Sequence, residues 1–268
     1  MGPIPFPPPP RTAARWAKAA TTLALLAGMT LPGQTVWAGS LAVNPVRVFL
    51  SGAVKSAVLT LQNSGDEPAR FQLTLFAWDQ NPQGEMVLAP TSDIVFFPPL
   101  LTLAPREQRS IRVGTKTPPG AIEKTYRLFV EELPPAEGSA PAGLPGQVRV
   151  LTRFGIPIFL QPAKKIGSGR IEGAAIRGGR VSFEVRNTGN VHFMAQAVRV
   201  AALGAAGETV FESAIEGWYI LTGGTRIYEL ELPADTCPQV KSVSLEVRIS
   251  EAAVFTERLD AQGTACHP

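Results

Sequence analysis

From about residue 41 onward, apolar and polar side chains alternate with a period of two, the pattern of strands that have one buried and one wetted face. Ala57, Leu59 and Leu61 alternate with Val58, Thr60 and Gln62, and Val181, Phe183 and Val185 alternate with Ser182, Glu184 and Arg186. Such strands must bury their apolar faces against another layer. Clusters of Gly, Pro, Asn and Asp bound the runs and act as turn signals. The spacing predicts strands near 41–50, 55–63, 69–79, 93–97, 107–115, 124–133 and 147–161. The rhythm repeats near 170–176, 179–187, 191–203, 208–221, 225–232, 240–249 and 253–259. Helices have almost no place to start. Seven short strands in each half predict an all-β protein of two immunoglobulin-like β-sandwich domains.

An internal echo supports two copies of one architecture. Leu61-Gln62-Asn63-Ser64-Gly65 leads into Phe71 and Leu73, and Val185-Arg186-Asn187-Thr188-Gly189 leads into His192 and Phe193. Both read as strand, Asn-x-Gly turn, strand, with Asn and Gly explained by their tolerance of positive φ. The domain boundary falls near Gln161-Pro162-Ala163, giving domains over 39–162 and 163–268. The stretch from Pro134 to Gln147, rich in Pro, Gly and Ala and without periodicity, reads as a loop that is mobile when unbound.

Residues 1–38 read as an export signal. Arg11, Arg15 and Lys18 precede an apolar run from Ala19 to Met29, and Val36-Trp37-Ala38 has the small-residue pattern of a cleavage site. The run is about a dozen residues, short of the roughly 20 that cross a bilayer. The proline-rich start has no targeting role in this reading. The chain carries 25 Lys+Arg against 22 Asp+Glu, and removing the signal with its three cations brings the two into balance. That balance argues against a nucleic-acid partner, which needs a clustered basic surface. Cys237 and Cys266, the 2 cysteines, admit either a disulfide in an oxidising compartment or two free thiols.

Catalytic constellations are missing from the sequence. It has 2 histidines, His192 and His267, and no metal-ligand cluster, nucleophile elbow or phosphate-cradling glycine motif. His192, at a turn-to-strand junction, reads as structural. Glu131 and Glu132 occupy adjacent strand positions and point to opposite faces. No enzyme activity, metal, cofactor or small-molecule substrate is expected. The segment from Gln147 to Phe159 does carry a signal: Val148, Val150, Thr152, Phe154 and Ile156 share one face, and Arg149, Leu151, Arg153 and Pro157 the other. Pro157 cannot donate to a ladder and marks an edge or bulge. An edge strand can pack on its own core or accept a strand from another protein.

Several stretches together resemble the periplasmic pilus-assembly chaperones of the chaperone-usher pathway. Val43-Asn44-Pro45-Val46-Arg47-Val48-Phe49 resembles that family's first strand with its basic cleft residue. Pro98, Leu103-Ala104-Pro105 and Gln108-Arg109-Ser110-Ile111-Arg112-Val113 resemble its proline-to-strand stretch. Tyr126 to Pro135 resembles the strand that ends in its Glu-x-Pro signature. The likeness covers about Leu41 to Pro162, and its last strand is more similar to the divergent branch of spore-coat-type or archaic pili. The resemblance implies two sandwiches in an L- or boomerang-shaped arrangement, in the periplasm. The implied partners are pilus subunits and an outer-membrane usher, with possible self-association when free. It further implies donor-strand complementation, in which Val148, Val150, Thr152, Phe154 and Ile156 complete a subunit's unfinished sandwich. Two cleft cations anchor the subunit carboxylate in that family. Arg47 matches the first. The usual last-strand lysine falls on Pro157, leaving Arg153 as the nearest substitute and Arg127 as a weaker one on the neighbouring strand. A structural or adhesive immunoglobulin-like module of the cell envelope is the rival reading, and a periplasmic hydrolase with an unrecognised site a third.

Overall fold

The computed structural model describes residues 41–134, 150–251 and 253–261, all within one compact unit. The first sandwich comprises β1 (Leu41–Asn44), β2 (Val48–Leu50), β3 (Ser56–Asn63), β4 (Ala69–Gln80), β5 (Met86–Pro90), β6 (Ile94–Phe97), β7 (Leu100–Leu103), β8 (Gln108–Thr115), β9 (Lys124–Leu133) and β10 (Arg153–Leu160). One layer runs β1-β3-β8-β6. The other runs β2-β10-β9-β4-β5, with β7 also on β4. The second sandwich comprises β11 (Gly169–Arg177), β12 (Arg180–Asn187), β13 (Phe193–Met194), β14 (Ala197–Leu203), β15 (Thr209–Ile215), β16 (Tyr219–Ile220), β17 (Thr225–Glu231), β18 (Ser242–Arg248) and β19 (Val254–Asp260). Its sheets run β11-β12-β17, β13-β16 and β15-β14-β18-β19. A single 3-10 turn, Cys237–Gln239, is the only helix among the described residues.

Period-two alternation becomes burial as expected. Leu59 and Ile111 face each other across β3 and β8 and are sealed in the first core, while their neighbours Val58 and Arg112 face out. In the second core Phe183 and Tyr228 are cross-strand partners with rings stacked 5.5 Å apart.

Four predicted strands come out differently. The expected strand over 41–50 is two: β1 pairs antiparallel with β3, the Asn44–Pro45 bond is cis, and β2 pairs parallel with β10 in the opposite layer. The runs over 191–203 and 208–221 also divide, because β13 and β16 pair with each other whereas β14 and β15 belong to a different sheet. Gly217 makes the second break: a Cβ there would lie 1.7 Å from the carbonyl oxygen of Ala195. The expected strand over 147–161 is regular only from Arg153, although the Glu132 N–H still donates to the Thr152 carbonyl. Residues 147–149 and nearly all of the Pro134–Gln147 loop lie outside the described residues, as do the signal segment and His267. β5 and β7 had no sequence counterpart.

The Asn-x-Gly turns have another physical basis than the expected one. Asn63, Gly65, Asn187 and Gly189 all lack positive φ. Both asparagines are instead buried, with side chains acting as staples. The Asn187 amide donates to the carbonyls of Val191 and Ile220, and its oxygen accepts from the Gly189 N–H. Asn63 does the same for Glu67, Leu103 and Ala104, accepting from Gly65. Glycine at 189 answers close approach, since a Cβ there would lie 2.2 Å from the Ile166 carbonyl oxygen.

Candidate functional site

Where the chain crosses between layers, Val46 and Arg47 are left between β1 and β2, on the side facing the second sandwich. They line a cavity of about 320 Å³ together with Arg127, Gly155, Pro157, Met194, Trp218 and Tyr219. That volume sits at the low end of ligand sites, roughly 300 to 1,000 Å³. Two guanidinium groups share the cavity, and among the described residues no carboxylate lines it.

Arg127 projects from β9 directly opposite Pro157 of β10. It is only 6% exposed. Nη1 donates to the Gly155 carbonyl at 2.9 Å, and the guanidinium lies 4.1 Å above the Trp78 ring. Gly155 permits this, because a Cβ there would press on Phe129 at 3.1 Å and on the Arg127 stem at 3.8 Å. Nε is buried and has no hydrogen-bond partner. Burial pulls the Arg127 pKa below the usual arginine value, with Tyr219 acting in the opposite direction. Such an idle donor on a buried cation is costly, since an unsatisfied charged group is expensive to keep dry.

Arg153 stands elsewhere. It shares a face with Pro157 but lies four residues up the strand, roughly 13 Å away at about 3.3 Å per residue. Its guanidinium stacks on Phe129 at 4.1 Å, with Nε 3.6 Å from Glu131. Arg47 and Arg127, not Arg153, line the same cavity.

The expected donor residues divide along β10. Ile156 is 3% exposed and belongs to the core of its own sandwich, so the outward face ends before it. Phe154 is 39% exposed and Val150 80%; Thr152 is half-buried. Val148 lies outside the described residues. One edge of β10 pairs with β9 along its full length, whereas β2 covers the other edge only at Ile158–Leu160. Among the described residues nothing pairs with that edge from Arg153 to Pro157, and Pro157 suits such an edge because no N–H is required there.

The cavity is held in shape by a seam between the sandwiches. Trp78 and Phe159 pack with Tyr219 and Leu221 as a separate buried cluster. His192 stacks on Phe159 at 3.6 Å, and its Nδ1 lies 2.6 Å from Glu123 Oε1, which also accepts the His192 N–H. His192 thus joins the two sandwiches. Glu131 is exposed and Glu132 buried, as opposite faces require. Cys237 is not a free thiol; Cys266 lies outside the described residues. The sequence reading missed Met194 and Trp218. Their only sequence signal is an aromatic pair, Trp218-Tyr219, placed after a glycine.

The family described as pili and flagellar-assembly chaperone, PapD N-terminal domain, matches residues 40–165. The chaperone protein LpfB of Salmonella typhimurium (strain LT2) is 28% identical over 137 residues, 50% of this chain and 55% of LpfB. The match thus spans about half the length of that curated relative. Among solved structures, the CsuC-CsuE chaperone-tip adhesion subunit pre-assembly complex of Acinetobacter baumannii contains a chain of similar fold. The TM-score is 0.53 at 18% identity, covering 82% of this chain and 98% of that one. The class 5 fimbriae chaperone CfaA gives a TM-score of 0.53 at 14% identity, covering 83% of this chain and 100% of that one. These structural likenesses speak for the two-sandwich fold. The family match lies on the sandwich that carries Arg47, Arg127 and β10, and makes that sandwich similar to the N-terminal domain of the pilus and flagellar-assembly chaperones.

Proposed function

We propose that the protein is a periplasmic chaperone that captures pilus subunits by lending them a strand and then delivers them to an outer-membrane usher. The observation that carries this reading is the cavity shared by Arg47 and Arg127 at one end of an open strand edge. A subunit whose sandwich lacks a strand has unpaired backbone groups and an apolar groove. The open edge of β10 and the residues before it supply the missing ladder, and alternate side chains set the register. Val150 and Phe154 are the apolar anchors among the described residues, with Thr152 between them. Burying each is worth roughly 1.5 to 3 kcal/mol. The subunit's terminal carboxylate sits between Arg47 and Arg127, where truncating one partner of a desolvated charge pair costs about 2 to 5 kcal/mol. In a neighbouring solved complex the SafA pilin of Salmonella enterica is bound to the SafB chaperone, and the same class of partner suits this cleft.

The test is co-expression of the exported chain with a pilin encoded beside its gene. A soluble one-to-one complex is expected. Arg47→Ala, at an exposed position, leaves the chain folded but lowers recovery of the complex at least tenfold, corresponding to about 1.4 kcal/mol or more. Equal recovery with Arg47→Ala, or equal subunit yield without the chaperone, overturns the reading.

A further inference from the structure

We infer that Trp218 and Met194, from the second sandwich, read the last side chain of the captured polypeptide and select a bulky apolar residue next to its carboxylate. This rests on the carboxylate reading of Arg47 and Arg127 and deepens it. The cavity has two unlike walls. Arg47 and Arg127 form the charged one; Val46, Pro157, Met194, Trp218 and Tyr219 form the other, without a formal charge. One carboxylate between two cations leaves the remaining space lined by aliphatic, thioether and aromatic groups. On a polypeptide, the group attached to the carbon beside that carboxylate is the terminal side chain.

Trp218 is presented, not merely left over. Its backbone is fixed: the Trp218 carbonyl accepts from the Ala195 N–H at 3.1 Å, and the preceding Gly217 is pressed so closely on Ala195 that a Cβ would collide. The indole stands edge-on to the buried Tyr219 ring, centroids 5.5 Å apart and planes at 86°. Yet Trp218 remains 46% exposed, a large rigid surface at the mouth of a small cavity. Aromatic rings held this way gain about 0.5 to 1.5 kcal/mol from a second ring beyond area burial, and Met194 adds an adaptable sulfur contact.

The test uses the mature chain and synthetic peptides of one alternating apolar/polar sequence. The peptides end in Phe, Leu, Gly or Asp, each as free acid and as amide, and affinities are measured by calorimetry. The Phe-ended acid is expected to bind about tenfold tighter than the Gly-ended acid, the discrimination typical of one apolar group in a pocket. The Asp-ended acid binds weakest. Trp218→Ala brings the Phe/Gly ratio close to one, and Met194→Ala lowers it partway, which guards against a folding defect in the first variant. If amidation weakens every peptide but Phe and Gly bind alike, the side-chain inference fails and the carboxylate reading survives. If amides bind as well as acids, the carboxylate reading itself fails. No measurable binding of the Phe-ended acid overturns both.

Discussion

Asn63 ties four backbone groups and Asn187 three, each at a strand end and from a position sealed against water. Replacing either by alanine strands carbonyls and an N–H without partners, a cost of about 1–3 kcal/mol for each group left dry. Asn187→Ala and Asn63→Ala are therefore expected to lower unfolding free energy by roughly 2 to 4 kcal/mol, read from urea midpoints at constant slope. A loss under about 0.5 kcal/mol, typical of surface changes, would mean that water serves these groups equally well. The Asn-x-Gly echo was legible in the sequence, but its cause was not, because burial and long-range partners such as Leu103 and Ile220 leave no local trace. Arg127 teaches the same lesson. Strand parity put Arg153 on the correct face, but only the register of β9 on β10 sets Arg127 beside Pro157, and register across a long loop is not written in either strand alone.

At the scale of elements, alternation identified strands wherever one face meets a core. It could not find β5, whose five residues are all exposed, nor the change of layer between β1 and β2, which keeps an extended backbone on both sides of Pro45. β10 is the instructive case, because one continuous pattern covers two jobs. Its second half, from Ile156, is core; its first half is an edge that no described residue covers. Ile156→Ala is expected to cost about 2–5 kcal/mol of stability, the usual range for a buried Ile truncated to Ala. Phe154→Ala costs little stability and instead weakens subunit capture, by up to about 3 kcal/mol. Chemical denaturation and complex recovery, measured on both variants, separate the jobs. If Phe154→Ala unfolds the protein as readily as Ile156→Ala, the edge is structural along its whole length.

Taken whole, the molecule makes its cleft from pieces of two sandwiches, so the cleft exists only while the sandwiches keep their relation. Domains in one chain move independently by default unless the surface between them is substantial and apolar. Here three devices oppose that motion. Trp78, Phe159, Tyr219 and Leu221 form a buried seam. Glu123, wholly buried, holds His192 by both its backbone N–H and its ring. The turn between β4 and β5 docks on β17, the Ile227 N–H donating to the Pro82 carbonyl at 2.9 Å. The mature chain should accordingly unfold in one calorimetric transition. Glu123→Ala removes no residue that lines the cleft, yet it leaves the His192 N–H without its acceptor, a loss of at least about 1–3 kcal/mol. It is expected to split the transition in two and to weaken subunit capture, because binding must then also restore the angle between the sandwiches. A variant that melts in one step and captures subunits like the wild type would show that the apolar seam alone fixes the cleft, with Glu123 and His192 merely filling it.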